Sequence, residues 1–239
     1  YSTNEMKYSN KTWRACALCM LAALAMTTGC QNKPAETADS TNAATDSVVA
    51  ESPLDNAVVR AIMDRRSVRK YKPEPVPKEM LDVILHCGIN APNAMNEQRW
   101  EVRVTESKAF IDGVTKVFIE SAKSDERVQK MVGDPDFRNM FRNAPTVIFV
   151  AGKGDETSSP IDCGLLGENI MLAAQSMGLG TCCLGSAAGF LNSNPGAANY
   201  LKQLAFSDGY ELLYAIAIGY PDESPEAKPR DASKIRYIE

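Results

Sequence analysis

The amino-acid sequence predicts an α+β domain that follows a leader and a polar tether. Residues 100–105 alternate as a half-buried strand does, and residues 146–151 and 210–220 are continuously apolar, as central strands are. Helical spacing of apolar residues marks several other stretches, of which 162–177 is the most apolar. No internal repeat and no G-x-G-x-x-G loop is present, which argues against a Rossmann dehydrogenase.

The first thirty residues have the pattern of a lipoprotein-type signal peptide behind a short N-terminal extension. Met6 is the expected initiator, and a basic segment precedes the apolar run 15–26, which is short for a membrane span. The sequence TTGC at 27–30 resembles a bacterial lipobox, so Cys30 is the predicted lipid anchor; Thr27 stands where leucine is usual. Simple secretion and an uncleaved anchor are the alternatives. We therefore expect an exported protein, lipid-anchored to a bacterial membrane on its periplasmic or cell-surface side.

Residues 31–53 are predicted to be a flexible tether, and residues 54–239 the folded domain. The tether is rich in Ala, Thr, Ser, Asn and Asp and has too little apolar surface to offset the entropy of ordering it. The formal net charge of −4 gives no reason to expect nucleic acid as a partner. His86 is the only histidine, so a zinc site or a Ser-His or Cys-His catalytic pair has little support, and we expect no metal.

Capping residues and apolar spacing predict the helices of the domain. Ser52 is expected to cap a first helix that ends at Asp64, and residues 110–130 are expected to form one amphipathic helix. Asp162 is expected to cap the central helix, which glycine ends at 178–180. Because this helix is apolar nearly all round, it belongs in a core or between two subunits.

A cluster of cations follows the first helix. Arg65, Arg66 and Arg69 flank Ser67 in five positions, and a planar guanidinium fits the paired oxygens of a phosphate. A basic helix end that pairs with local carboxylates is the alternative interpretation.

Four motifs occur in order along the domain: RRSVRKY at 65–71, APNAMNEQRW at 91–100, GENIMLAAQSMGLGTCCLGS at 167–186 and AIGYPDESPEAKPR at 217–230. Together they resemble the FMN-dependent nitroreductase family over residues 54–239, and four ordered motifs are far more specific than one. The resemblance implies a central mixed, mostly antiparallel β-sheet flanked by helices, and a homodimer in which the C-terminal strand is exchanged. It also implies FMN as the cofactor.

The same resemblance assigns residues to the cofactor. The phosphate and ribityl chain would be met by Arg65, Arg66 and Ser67, and the phosphate also by Lys228 and Arg230. Arg69 would contact the N1/O2 side of the flavin ring, and Leu184 and Gly185 would lie at its central ring. The FMN bound mainly by the partner subunit would be contacted by Pro92, Asn93, Ala94 and Asn96. Arg69 and Gly185 would be the catalytic pair, through a fixed cation near N1 and a backbone N–H near N5. Asn93 and Ala94 replace serines of the family pattern and Arg99 replaces proline, and an ordinary helix–strand loop is the alternative for this stretch.

The implied activity is transfer of hydride from NAD(P)H through flavin N5 to nitroaromatic- or quinone-like acceptors in a ping-pong cycle. The leader supports an alternative: a membrane-tethered, non-catalytic FMN-binding protein or electron-transfer relay. A third possibility is an unrelated α+β domain with fortuitous basic motifs, which would be colourless. Cys87, Cys163, Cys182 and Cys183 are expected to be buried free thiols, and the alternative in an exported protein is that a pair of them is oxidised to a disulfide.

Overall fold

The structure is a computed structural model, and it describes residues 55–238. Within this range the helices are α1 (Ala57–Asp64), α2 (Lys78–Ile89), α3 (Lys108–Ser121), α4 (Glu126–Val132), α5 (Ser159–Ser176), α6 (Gly185–Ser193) and α7 (Ala198–Gln203). The strands are β1 (Trp100–Thr105), β2 (Thr146–Lys153), β3 (Gly180–Leu184) and β4 (Tyr210–Gly219). The predicted signal peptide and tether lie outside the described residues. Among those residues no helix has the length and apolar character that crossing a bilayer needs.

The four strands form one antiparallel sheet in the order β1-β2-β4-β3. The central strand β2 is almost wholly buried, and β4 is buried from Ala215 to Gly219, which explains the continuously apolar sequence of these stretches. The predicted α+β class, with a mostly antiparallel sheet flanked by helices, is confirmed. The edge strand β3 was not predicted as a strand, because GTCCL is short and lacks the β-branched pattern.

Alternate residues of the central strands face two separate cores. On one face Ile148 and Ile216 pack with Leu166 of α5, and α2 completes the layer. On the other face Phe149 packs with Val114 of α3, and α6 completes that layer. The period of two along each strand therefore distributes the apolar side chains between the two helical layers.

The central helix α5 begins earlier than predicted and ends as predicted. It starts at Ser159, so Asp162 is not its cap but lies in the first turn with its side chain buried. At the other end Gly178 adopts a left-handed φ of 77°. The Leu179 N–H then donates to the Ala174 carbonyl at 2.9 Å, which is the six-to-one bond of a Schellman motif.

Two other helices differ from their predicted bounds. Ser52 lies outside the described residues, and α1 is capped instead by Asn56, whose side chain accepts from the Val58 and Val59 N–H groups. The stretch 110–130 is two helices rather than one, because the Asp125 side chain caps α4 and accepts from the Arg127 N–H at 2.8 Å. A new N-cap cannot lie inside a continuous helix, so the chain breaks at 122–125.

One side of α5 and one side of α1 carry exposed apolar side chains in the isolated chain. The two helices pack against each other. Val58 and Ile62 of α1 are 67% and 52% exposed, and Ile161 and Leu165 of α5 are 66% and 42% exposed. We call these four residues the α1–α5 surface. The sequence predicted that α5 lies in a core or between two subunits, and at the α1–α5 surface part of this helix is exposed in the single chain.

Candidate functional site

The segment after α1 lies along the edge strand β3. The Val68 N–H donates to the Thr181 carbonyl at 3.0 Å, and Ser67 and Thr181 form a parallel bridge. A Cβ on Gly180 would come within 2.8 Å of Val68, so only glycine lets the two backbones approach this closely. The sequence RRSVR is therefore held beside β3, which ends at Leu184, and Gly185 follows as the first residue of α6.

The three arginines of this segment have different local partners. Arg65 is half-buried, with Nε 3.8 Å from the Glu168 carboxylate of α5. Arg66 donates to the Met63 carbonyl at 2.7 Å and so covers the C-terminal end of α1. Arg69 donates from Nη1 to the Ser67 carbonyl at 3.0 Å. Of the three, Arg65 is the one whose side chain pairs with a carboxylate within residues 55–238, so in this range the alternative of a basic helix end paired with local carboxylates fits Arg65.

The charges near β3 are dominated by guanidiniums. Burial raises the pKa of the Cys182 thiol, while the cations Arg69, Arg142 and Arg65 act in the opposite direction. Arg142, which the sequence did not single out, has a left-handed φ of 61° and lines a cavity of about 420 Å³ together with Arg69. The buried Thr181 hydroxyl has no hydrogen-bond partner within residues 55–238.

Gly185 is the first residue of α6 rather than a tight turn. It is exposed, and a Cβ built on it would meet nothing within 4 Å. No side chain caps this first turn of α6. The first N–H groups of a helix lack partners inside it, so this end presents donors and partial positive charge to whatever covers it.

The loop that contains Pro92–Asn96 is shaped by three contacts within the chain. The Asn93 side chain accepts from the Gln98 N–H at 2.8 Å. Arg99 pairs with Glu97 and, at 2.9 Å, with Glu156. The third contact runs from the Ala94 N–H to the buried carboxylate of Asp162, at 3.3 and 3.2 Å from its two oxygens.

The helix α5 supports both groups of predicted site residues. Its Asp162 contacts the loop and its Glu168 contacts Arg65, and six residues of helix place the two about 9 Å apart along the axis. Neither acidic residue was assigned to the site from sequence. The Asp162–Ala94 contact joins residues that are 68 positions apart in the sequence, and the Glu168–Arg65 contact joins residues that are 103 positions apart. Contacts over such separations leave no local sequence pattern that could have revealed these two acidic residues.

Lys228 and Arg230 are not joined to the other predicted residues by any hydrogen bond or ion pair in the described part of the chain. Both are exposed in the segment after β4, where Arg230 donates to the Lys228 carbonyl at 3.3 Å. The start of this segment is anchored, because the Arg69 N–H donates to Glu223 at 2.5 Å and the Asp222 N–H to the Lys70 carbonyl at 2.9 Å. It therefore leaves the sheet next to the arginine segment.

A cavity of about 830 Å³ is lined by none of the predicted site residues. It lies among α6, α7 and the start of β4.

Of the four predicted thiols, all are free, but only Cys163 and Cys182 are buried. Cys87 is half-buried and Cys183 is exposed, which corrects the prediction for both. Successive side chains of a strand point to opposite faces, and on the edge strand β3 it is Cys182 that packs into the core, so Cys183 points away from that core.

Residues 62–220, two thirds of the chain, match the nitroreductase family. The chain belongs to this family. Among its relatives is the NADPH-flavin oxidoreductase of Vibrio harveyi, 30% identical over 185 residues, which span 73% of this chain and 70% of that protein.

Solved structures of FMN-bound nitroreductases share the fold of this family member. The enzyme from Bacteroides fragilis is 26% identical with a TM-score of 0.67, and the one from Desulfitobacterium hafniense is 26% identical with a TM-score of 0.69. Each comparison covers 77% of this chain and all of the other. The residues of this nitroreductase that match the family run from α1 to just beyond β4 and so contain the arginine segment, the loop and Gly185.

Proposed function

We propose that this chain is an NAD(P)H-dependent FMN oxidoreductase that reduces nitroaromatic- or quinone-like acceptors. One observation supports this most directly: the backbone bonds that hold Arg65–Arg69 along β3 bring three cations beside the strand that the exposed Gly185 directly follows. The FMN-bound structures named above and the Vibrio relative support the cofactor and the nicotinamide donor.

The residues present fit FMN. Its phosphate requires cations and N–H donors, and Arg65 and Arg66 offer guanidiniums at the start of the segment. Its flat ring requires a place where backbone is not shielded by a side chain, and the open space around Gly185 provides it. Lys228 and Arg230 complete the phosphate site in the proposal, at the end of a segment that is anchored to Lys70 and Arg69.

FMN, when bound, supplies hydride transfer at N5 between the nicotinamide donor and the acceptor, which take turns at one face. Arg69 places a fixed positive charge on the same segment, Arg65–Arg69. A cation beside the flavin ring favours the reduced flavin, because that form is the more negative one. The Gly185 N–H is the proposed donor toward N5. No side chain in this proposal becomes covalently modified, so positioning and charge are the protein's contribution.

The proposal includes a homodimer. The α1–α5 surface is apolar and uncovered, and the C-terminal Tyr237 and Ile238 are 93% and 92% exposed. Large apolar side chains grouped on one surface indicate an interaction site, and exchange of the C-terminal segment between subunits would cover those at the tail. In the proposed dimer Pro92–Asn96 of one subunit faces the FMN of the other.

We also propose export and lipid anchoring at Cys30, on the sequence pattern of residues 1–30 alone. That leader favours the second candidate function, a membrane-tethered FMN-binding protein or electron-transfer relay, because NAD(P)H is a cytoplasmic cofactor. Steady-state oxidation of NADPH and NADH by the FMN-loaded protein, with menadione or a nitroaromatic as acceptor, separates the two. Turnover supports the oxidoreductase, and full FMN occupancy without turnover supports the relay.

The test of the cofactor site is the absorption spectrum of the pure protein, followed by the double variant Arg65→Ala/Arg230→Ala. A charged hydrogen bond is worth about 1.5–3 kcal/mol, so losing two should weaken FMN binding about 100-fold or more. The matched control, Lys116→Ala/Lys123→Ala, removes the same charge from two exposed positions that line none of the cavities described and should keep the yellow colour. A colourless parent protein that does not take up added FMN would contradict the proposal.

A further inference from the structure

Asp162 is a buried carboxylate without a cationic partner. Its side chain is 4% exposed, and it forms no ion pair with any residue between 55 and 238. Its hydrogen-bond donor is the backbone N–H of Ala94, shared between the two carboxylate oxygens at 3.3 and 3.2 Å. Burying an ionised carboxylate is costly unless its surroundings stabilise the charge, so this arrangement needs an explanation.

The start of α5 supplies part of that stabilisation. Asp162 lies in the first turn of an 18-residue helix, where the aligned peptide dipoles and free N–H groups favour negative charge. A capping role does not account for its position, because the helix begins three residues earlier and no side chain caps it. The carboxylate is therefore stabilised by its helix but directed toward the neighbouring loop.

The loop that Asp162 contacts has a strained backbone. Met95, Asn96 and Gln98 have φ values of 52°, 56° and 50°, although none is glycine. Left-handed backbone at such residues costs on the order of 1 kcal/mol or more each and persists only where surrounding contacts impose it. Such strain is concentrated at binding and catalytic sites.

The three anchors of this loop hold different parts of it. The Asn93–Gln98 bond closes the loop on itself, and Arg99 with Glu156 fixes its C-terminal end. Among the hydrogen bonds of the described residues, the Asp162–Ala94 bond alone ties the middle of Pro92–Asn96 to another element. It therefore sets how far this stretch stands from α5.

We propose that Asp162 is a positioning residue: it holds the Ala94 backbone so that Pro92–Asn96 keeps the shape that contacts FMN. This inference rests on the proposed function. Asp162 does not touch the cofactor itself, and its effect on the cofactor passes through the single Ala94 N–H.

Two substitutions remove the same hydrogen bond from opposite ends. Asp162→Ala removes the acceptor, and Ala94→Pro removes the donor without changing α5 or any charge. Asn93 has φ −151° and ψ 157°, which is the backbone that a residue before proline prefers. Asp162→Asn keeps an oxygen acceptor and is the conservative rescue. Asp82→Ala on α2 is the control, since it removes a carboxylate that pairs with Lys78 at the surface.

The first measurement is hydrogen exchange in the FMN-free protein. We expect the Ala94 amide to exchange at least tenfold faster in Asp162→Ala than in the parent, with Asp162→Asn closer to the parent and Asp82→Ala unchanged. An Ala94 amide that exchanges equally fast in the parent and in Asp162→Ala overturns the inference, whatever FMN does.

The second measurement is the FMN dissociation constant and the visible spectrum of bound FMN. Asp162→Ala and Ala94→Pro should each weaken binding about tenfold, and the double variant should lose no more than either single one, because both act through one bond. Additive losses, or an Asp162→Ala affinity within twofold of the parent, overturn the inference. If Asp162→Ala does not fold, Ala94→Pro decides: an affinity within twofold of the parent overturns it. A parent that binds no FMN overturns the proposed function and this inference together.

Discussion

At the scale of single residues, glycine decides how closely the layers pack. A Cβ on Gly88 would come within 2.6 Å of Ile170, and one on Gly167 would overlap the Tyr214 hydroxyl. Tyr214 uses that hydroxyl to donate to the Cys163 carbonyl of the same helix. The contact between α5 and β4 thus depends on the absence of a side chain at one helical position.

Gly167→Ala should destabilise the protein although alanine favours helix. Overpacking costs about 1–3 kcal/mol, which outweighs the gain of about 1 kcal/mol in helix propensity. Gly189→Ala in α6 is the matched control: it meets open space and should stabilise by up to about 1 kcal/mol. Urea unfolding of the two variants measures the difference. Equal stabilities would show that Tyr214 moves aside at no cost.

Motifs in the sequence predicted candidate site residues but not the residues that support them. The predicted residues Arg65–Arg69 lie beside β3, and the predicted Gly185 follows β3 directly as the first residue of α6. The role of Asp162 was misread, because an acidic residue before an apolar helix looks like a cap. Asp162 would cap α5 if the helix began directly after it, and it reaches the loop because the helix begins at Ser159. The point at which α5 begins depends on the course of residues 153–158, which is set by tertiary packing.

At the scale of elements, β1, β2 and β4 could be predicted because burial on one or both faces fixes their pattern. The strand β3 could not, since its pairing with β4 and the segment at Ser67 holds it rather than its composition. The helices α1 and α5 show the reverse case. Their apolar residues satisfy the pattern of buried helices, yet Val58, Ile62 and Ile161 are exposed in one chain.

Ile62→Glu should therefore separate the proposed dimer without unfolding the subunit. Ile62 is 52% exposed in the isolated chain, so a charge there is tolerated by the monomer but must be desolvated in a dimer contact. We expect the dimer dissociation constant, measured by analytical ultracentrifugation, to rise more than tenfold. Gln203→Glu on the exposed face of α7 should leave it unchanged. A parent protein that is already monomeric would refute the assignment of this surface.

At the scale of the whole molecule, buried acids link stability to pH. Burial raises the pKa of the Cys163 thiol from its usual value near 9 to about 11. It also raises the pKa values of the Tyr71 and Tyr214 hydroxyls. In the unfolded chain these groups lose their protons at lower pH than in the folded chain, so alkali favours unfolding.

The contribution of the Cys163 thiol to the free energy of unfolding should be complete below about pH 9 and should be lost between pH 9 and 11. Between pH 9 and 11 the unfolded state binds fewer protons than the folded state, so the free energy of unfolding falls as pH rises. Cys163→Ala should show a shallower decline between pH 8 and 10.5 in urea titrations. An identical slope in the parent and in Cys163→Ala would contradict the assignment.

The exposure of Cys183 gives the molecule a natural labelling position. Its sulfur stands on the rim of β3, two residues from the glycine where a flat ring is proposed to stack, while the neighbouring Cys182 points into the core. A thiol-reactive dye can therefore report when that rim becomes covered, without any engineered cysteine.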